Sequence, residues 1–369
     1  MANITKAKEV LTEELKMLTE VSKMFPYPEK ALASLLDVRK FSETWYLVFG
    51  IYSAVSGTFA TILNFMLIVV YVRFCRSKVR ASAYNLSVLN LICSDLLMCI
   101  GSYPGMVHSA FNHGWALGTV VCQVCAMVSN TGSLAQIGIL LEIAFGRYYY
   151  MQKMSKYRAK KCYTVFRLSA IWVTAGILAG AVPLLGFGSF VPDAMLISCS
   201  FNYSNGTKVD MAYCILLLLV GYIVPSLALY LLYLGVVSNN RTSIENLGAL
   251  RVHGRKRSTP TARTRKLTTT VIICVVAFSV SWTPYAVGVI IGLFQAKVSR
   301  LYMTFAVLLA KFSTGMNAVI YAYRSSVFRQ HLKQHFVRPK LTARRCCTKD
   351  RNNRTTNHIN IELQQRQTV

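Results

Sequence analysis

Charge is scarce in this chain of 369 residues, and acidic charge is scarcest. Asp, Glu, Lys and Arg together make up 15%, against roughly 25% in soluble domains, while apolar residues reach 54% and mean hydropathy is +0.41. That excludes an ordinary soluble domain. With 14 acidic residues against 41 Lys and Arg, the formal net charge is +27, which invites a nucleic-acid-binding reading. The reading fails on location, because long stretches hold no charge and the basic residues sit between them, so no nucleic-acid partner is expected. Ten-residue blocks of alternating polarity are missing, which argues against a membrane β-barrel. No internal repeat is visible, which argues against a transporter. The first 44 residues have no apolar core near their start, so no cleavable signal peptide is expected. Cys122 and Cys125 lie three apart, but His108 and His113 give them poor support, and no metal site is expected.

What the chain does have is seven apolar stretches, near 45–72, 83–107, 118–146, 164–188, 211–237, 268–294 and 301–323. A span needs about 20 apolar residues to cross about 30 Å of hydrocarbon. The expected fold class is an all-α membrane protein, a seven-helix transmembrane bundle. Pro104, Pro183, Pro225 and Pro284 fall inside spans, where neighbouring helices re-satisfy the freed backbone. Lys and Arg gather in the first, third and fifth connections, at 73–80, 153–161 and 251–266. The second connection has none, the fourth has Lys208, and the sixth has Lys297 and Arg300. Positive charge marks the cytoplasmic side, which predicts a multi-pass cell-membrane protein with its N-terminus outside and C-terminus inside.

The expected organisation is an external tail (1–44), the helical bundle (45–323), an amphipathic cytoplasmic helix (324–340) and a disordered cytoplasmic tail (341–369). Leu11, Leu15, Leu18 and Val21 recur at helical spacing in the external tail. Phe328, Leu332 and Phe336 share one face of the amphipathic segment, which suits membrane lipid. Asn3, Asn202 and Asn205 open candidate glycosylation sites on the outer side, and Cys346 and Cys347 are lipidation candidates on the inner one.

Charge inside hydrocarbon is expensive, which makes Asp95, Glu142 and Lys311 functional candidates. Lys311 lies about mid-way along the seventh span. It is either an amine that attacks an aldehyde or a packing lysine paired with a buried carboxylate. Asp95, Asn64 and Asn317 sit at comparable depths in three spans, as structural glue or as a cluster that takes up Na⁺ or a proton. Cys122 and Cys199 share the oxidising side, where a bridge would pin the loop to a helix end.

Taken in order, Cys122 with Cys199, Arg147 ending the third span, Trp172 in the fourth, Pro225 and Tyr233 in the fifth, and Ser281-Trp282-Thr283-Pro284 in the sixth resemble the rhodopsin-like G-protein-coupled receptors over about residues 45–336. Ala310-Lys311, with Asn317 and Tyr321 following, and the loop from Phe190 to Cys199 are similar to animal opsins outside the vertebrate visual lineage.

The resemblance implies retinal, 11-cis or all-trans, bound covalently to Lys311 through a Schiff base, with Trp282 and Tyr285 beside it. It also implies a short β-hairpin lid made by the second external loop. Cys125 stands where vertebrate visual opsins carry the counterion carboxylate. Asp193, six residues before Cys199, aligns with a loop acid that other opsins use, which makes it the counterion candidate. Its rival reading is an exposed loop carboxylate. Arg147, Tyr148, Tyr233, Asn317, Tyr321, Asp95 and Asn64 take the signalling-switch positions by the same resemblance. A heterotrimeric G protein is the implied partner, with arrestin and a receptor kinase as further ones.

Two positions depart from the family. Gly146 replaces the usual acid before Arg147, and Ala318 follows Asn317 where proline is usual. Both departures bear on basal activity and G-protein choice. Glu142, five residues before Arg147 and about 140° round the helix, is a poor substitute for the lost acid. The function expected is a light-sensing, non-enzymatic receptor. The rivals are a retinal photoisomerase and a receptor for a diffusible ligand whose carboxylate pairs with Lys311.

Overall fold

The computed structural model describes residues 43–77, 83–152, 161–203, 206–235, 262–294, 297–324 and 328. Among them are seven helices long and apolar enough to cross a membrane. Helix α1 is Glu43–Ser77, α2 is Ala83–Phe111 and α3 is Gly118–Gln152. Helix α4 runs Lys161–Gly176 and continues through a π-helical turn, Ile177–Ala181, into Val182–Leu184. Two strands follow, β1 (Phe190–Asp193) and β2 (Ser198–Phe201). Helix α5 runs Lys208–Leu218, passes a second π-helical turn at Leu219–Ile223, and ends at Gly235. Helices α6 (Ala262–Leu293) and α7 (Arg300–Arg324) complete the bundle. The expected spans are all present, with ends moved by about a turn.

Local chemistry explains those ends. Span four stops at Leu184 rather than 188 because Gly186 and Gly188 take φ of +82° and +108°. A Cβ at Gly188 would stand 2.3 Å from the Tyr213 ring, so only glycine turns the chain there. Helix α5 starts earlier than hydropathy suggests because Thr207 and Asp210 form a capping box on its first turn. Pro183 and Pro225 each follow a π-helical turn that contains the carbonyl four residues back, at Ala179 and Gly221. The widened turn takes that carbonyl out of the proline ring's path.

Apolar side chains such as Phe59, Phe166, Val173 and Leu227 point outward, as lipid-facing surfaces require. Inside, small residues let helices close up. A Cβ at Gly101 of α2 would lie 2.7 Å from the backbone nitrogen of Ser129 in α3. One at Gly132 of α3 would lie 2.9 Å from the carbonyl of Ser94 in α2. This close pairing brings polar groups on the two helices within reach of each other.

The chain divides into two units, Met1–Tyr321 and Ala322–Val369, and Asp95, Lys311 and both strands belong to the first. The helical segment expected at 11–21, the one expected at 324–340 apart from Arg324 and Phe328, the candidates Asn3, Asn205, Cys346 and Cys347, and most of the basic fifth connection lie outside the described residues.

Candidate functional site

The second loop does fold into a hairpin. Strands β1 and β2 pair antiparallel, Phe190 opposite Phe201 and Asp193 opposite Ser198, joined by a tight turn with Ala194 and Leu196 at φ of 60°. The Cys122–Cys199 disulfide ties β2 to the start of α3, as the shared oxidising side suggested. Gln123 Nε2 donates to the Phe190 carbonyl at 3.0 Å, and Tyr46 of α1 donates to the Met195 carbonyl at 3.2 Å. Thr304 and Arg300 of α7 bind the turn at Met195 and Ala194. The hairpin is therefore a fixed lid, buttressed by α1, α3 and α7.

Lys311 lies under that lid. Its Nζ donates to Ser129 Oγ of α3, and Ser129 Oγ is 2.7 Å from Ser102 Oγ of α2. No carboxylate pairs with Lys311 among the described residues. The packing-lysine reading requires such a partner. The amine opens on a small cavity shared with Cys125, Trp115, Ser198 and Cys199.

A second, larger cavity of about 60 Å³ lies between α3, α5 and α6. Trp282, Tyr285, Phe278, Phe201 and Leu134 wall it, and Gly221 of the α5 π-helical turn opens its side. Trp282 connects the two regions, since its indole N–H donates to Ser313 Oγ, two residues from Lys311, at 3.3 Å. Its ring stacks on Phe278 at 5.8 Å and meets Tyr285 edge-on at 6.1 Å. An amine at one end and an aromatic chamber at the other suit a long apolar aldehyde. No residue lines both cavities.

Asp193 is not the exposed loop carboxylate of the rival reading. Tyr203 donates to its Oδ1 at 2.7 Å, and its Oδ2 is buried without a hydrogen-bond partner among the described residues. Burial pushes the Asp193 carboxyl above its usual range, although the Tyr203 hydroxyl, the Ala194 backbone and the Arg300 charge pull the other way. Tyr203 is raised as well, by its own burial and then by the charge of Asp193. Asp193 makes no contact with Lys311.

A separate polar cluster lies deeper in the bundle. Asp95 Oδ1 accepts from Gln136 Nε2 and, at 3.4 Å, from Asn317 Nδ2, while Oδ2 is buried without a partner among the described residues. Asn64 Nδ2 donates to the carbonyls of Ala60 and Thr314 at 2.9 and 3.3 Å. Asp95 and Asn317 thus meet, together with Gln136, while Asn64 reaches α7 only through the Thr314 carbonyl.

Farther from the lid, Glu142 forms a two-pronged pair with Arg167 of α4, at 2.7 and 2.9 Å. Glu142 is thereby engaged away from Arg147, whose guanidinium lies 4.0 Å from the centre of the Tyr84 ring. Tyr148 packs against Gly235 of α5, Tyr233 is exposed, and Tyr321 is buried. Asn202 is only 3% exposed, so a glycan there would require the loop to open.

Ser102, Ser129, Gln136 and Tyr203 do not stand out from sequence. Their signal is present, as polar side chains inside apolar stretches or beside the loop cysteine, but serines and amides are too common in spans to be singled out.

Residues 63–321 match the family described as "7 transmembrane receptor (rhodopsin family)". A Gq-coupled rhodopsin of Mizuhopecten yessoensis is 27% identical over 79% of this chain, and the match spans 60% of that relative's length. A melatonin receptor type 1A of Phodopus sungorus is also 27% identical, over 80% of this chain and 84% of its own. The crystal structure of squid rhodopsin superposes with a TM-score of 0.72 at 21% identity, covering 81% of this chain and 88% of that one. The chain belongs to the rhodopsin family of seven-transmembrane receptors.

Proposed function

We propose that this receptor is a photoreceptor of the opsin type, which holds retinal covalently on Lys311 and passes a light signal to a heterotrimeric G protein. Overall identity does not separate a light receptor from a receptor for a diffusible ligand, since a rhodopsin and a melatonin receptor are each 27% identical to this chain. Lys311 carries the distinction. It is an amine in mid-bundle, without a carboxylate partner among the described residues, facing a covered cavity in a receptor that also holds a separate aromatic chamber. Retinal, when bound, supplies a change of shape on absorbing light.

The chain's own groups then have distinct tasks. Lys311 provides the attachment point, and the disulfide-tied lid keeps bulk water from the linkage. Trp282 and Tyr285 would bear on the ligand, and the indole hydrogen bond to Ser313 would couple Trp282 to α7. Asp193, buried with one bare oxygen, is the candidate counterion for a positive charge at the Lys311 nitrogen, acting across the lid rather than by contact. Pro284 leaves the Val280 carbonyl without its helical donor, a natural pivot for α6. Moving the receptor from mostly off to mostly on takes about 5.5 kcal/mol of differential binding. Arg147, with Tyr148, Tyr233 and Tyr321, is placed to change partners at the far end. The Lys and Arg distribution puts that end, and the C-terminus, in the cytoplasm and the lid outside.

The test is to incubate the full-length receptor with 11-cis-retinal, reduce with borohydride and map the adduct by peptide mass. The expected result is retinyl mass on the Lys311 peptide alone. Unmodified Lys311 with every retinal isomer would overturn the reading in favour of a diffusible-ligand receptor. The photoisomerase alternative keeps the same pocket and is separated by chromatography of retinal after illumination. Retained, stoichiometric product supports a receptor, whereas many released equivalents per protein support an isomerase.

A further inference from the structure

We infer that the Ser129–Ser102 hydroxyl pair positions the Lys311 nitrogen and sets how firmly it holds its proton, taking the place of a paired carboxylate. The inference deepens the retinal reading and shares its site, but its first test needs no retinal. It stands on a three-helix chain of contacts: Lys311 Nζ of α7 on Ser129 Oγ of α3, and Ser129 Oγ at 2.7 Å from Ser102 Oγ of α2. Ser129 and Ser102 are both buried, at 4% and 6% exposure, so these contacts are made out of reach of bulk water.

The chain exists because α2 and α3 almost touch there. Gly101, next to Ser102, has space for no side chain, since its Cβ would meet the Ser129 backbone nitrogen and Val128. The neighbours of Lys311 leave the task to the hydroxyls. Among the described residues, the titratable groups that act on it are the thiols of Cys99 on α2 and Cys125 on α3. Helices α1 and α6 bring Tyr52 and Tyr285 to the same apolar cluster, and the lid brings Cys199, held in its disulfide. Asp193 is bound to Tyr203, and Asp95 to Gln136 and Asn317.

Two hydroxyls in series serve either protonation state. While the nitrogen has a hydrogen to donate, Ser129 Oγ accepts that hydrogen bond and Ser129 in turn donates a hydrogen bond to Ser102 Oγ. Once the nitrogen presents only a lone pair, both bonds reverse, and Ser102 donates to Ser129, which donates to nitrogen. The proton itself leaves to and returns from bulk solvent; the hydroxyls only reverse their hydrogen bonds, and no second charge is buried. A hydrogen bond to a charged group favours the charged form, so removing the first hydroxyl lowers proton affinity at Lys311.

The experiment uses the full-length, retinal-free receptor in lipid nanodiscs. Reductive methylation of Lys311 by formaldehyde and cyanoborohydride is followed against pH by peptide mass. Ser129→Ala is expected to move the midpoint down by about one pH unit. Ser102→Ala moves it the same way by less, and Ser129→Thr restores the original value. A merely structural serine would leave the midpoint in place. An unchanged midpoint in Ser129→Ala, or a Thr variant that behaves like Ala, overturns the inference.

The same variants are then loaded with 11-cis-retinal and titrated by absorbance. The pH at which a visible band gives way to a near-UV one is expected to fall in the same order. A pigment that titrates alike in wild type and Ser129→Ala overturns the inference and leaves the retinal reading intact. A shifted methylation midpoint with no pigment in any variant leaves the hydroxyl pair standing and removes the retinal reading.

Discussion

Two buried clusters of opposite character occupy the same three helices. In one, Lys311 meets Ser129 and Ser102. In the other, Asp95 meets Gln136 and Asn317. Ser102 and Asp95 are seven residues apart on α2, as are Ser129 and Gln136 on α3. Seven residues are two helical turns, about 10.5 Å of rise. At that separation an amine and a carboxylate attract by about 1.6 kcal/mol at an effective dielectric of 20, far too little to replace a lost hydration shell. Each charge is therefore supported by its own hydrogen bonds.

The supports differ in kind. Amides fix Asp95 from two helices, and the cavity beneath the lid does not reach it. Rotatable hydroxyls hold Lys311, and that cavity opens beside it. A closed cluster suits a hub that transmits movement, and an open one suits a group that must react. Thr314 stands between them. Its hydroxyl donates to the Lys311 carbonyl at 2.9 Å, and its own carbonyl accepts from Asn64 at 3.3 Å.

The sharpest way to break the contrast is Lys311→Met. Retinal incorporation, measured by absorbance, is expected to vanish, while the thermal midpoint of the retinal-free receptor rises. Replacing an unpaired buried charge with an apolar chain of similar length is stabilising. A fall in the midpoint would make Lys311 a structural residue.

Asp95→Leu should do the opposite, because it strands the Gln136 and Asn317 amides. A loss of about 2 kcal/mol is expected, seen as a lower midpoint in the same melt. If Asp95→Leu is as stable as wild type, the amide cluster is not a fixed hub. Glu142→Ala, which breaks the paired contacts to the one-third exposed Arg167, should cost less, about 1 kcal/mol. Equal losses at Asp95 and Glu142 would dissolve the distinction between core hub and peripheral tie.

The smallest effect expected is the pH response of the lid. The folded carboxyl of Asp193 sits above its unfolded value near 3.9. Its contribution to lid stability is thus complete below about pH 4 and is lost as pH climbs through the raised folded value. Hydrogen exchange across residues 189–203, corrected for intrinsic rate, should be slower at pH 4 than at pH 7, and Asp193→Asn should flatten the difference. A response that survives in Asp193→Asn would assign it to another group.

Much of this architecture is legible in sequence, and the reasons are physical. Hydropathy finds every span because hydrocarbon tolerates little else, and Lys311 and Asp95 stand out because charge there is costly. The lid is expected from Phe190–Cys199 by family resemblance, and the cysteine pair by its shared side. Depth along a helix is readable, but rotation about its axis is not. That is why Asp95, Asn64 and Asn317 can be grouped while Gln136 escapes notice. The hydroxyl contact at Lys311 depends on the close approach at Gly101, which no single-span pattern reveals. The π-helical turns before Pro183 and Pro225 likewise arise from a local clash, invisible to an apolar run.

A dark-minus-illuminated absorption spectrum of the full-length receptor reconstituted with 11-cis-retinal tests the role of Lys311 most directly. A visible or near-UV band that shifts on illumination, and that Lys311→Ala abolishes, is the expected result. A wild-type receptor that forms no such band with any retinal isomer would contradict it, leaving Lys311 as a contact for a diffusible ligand.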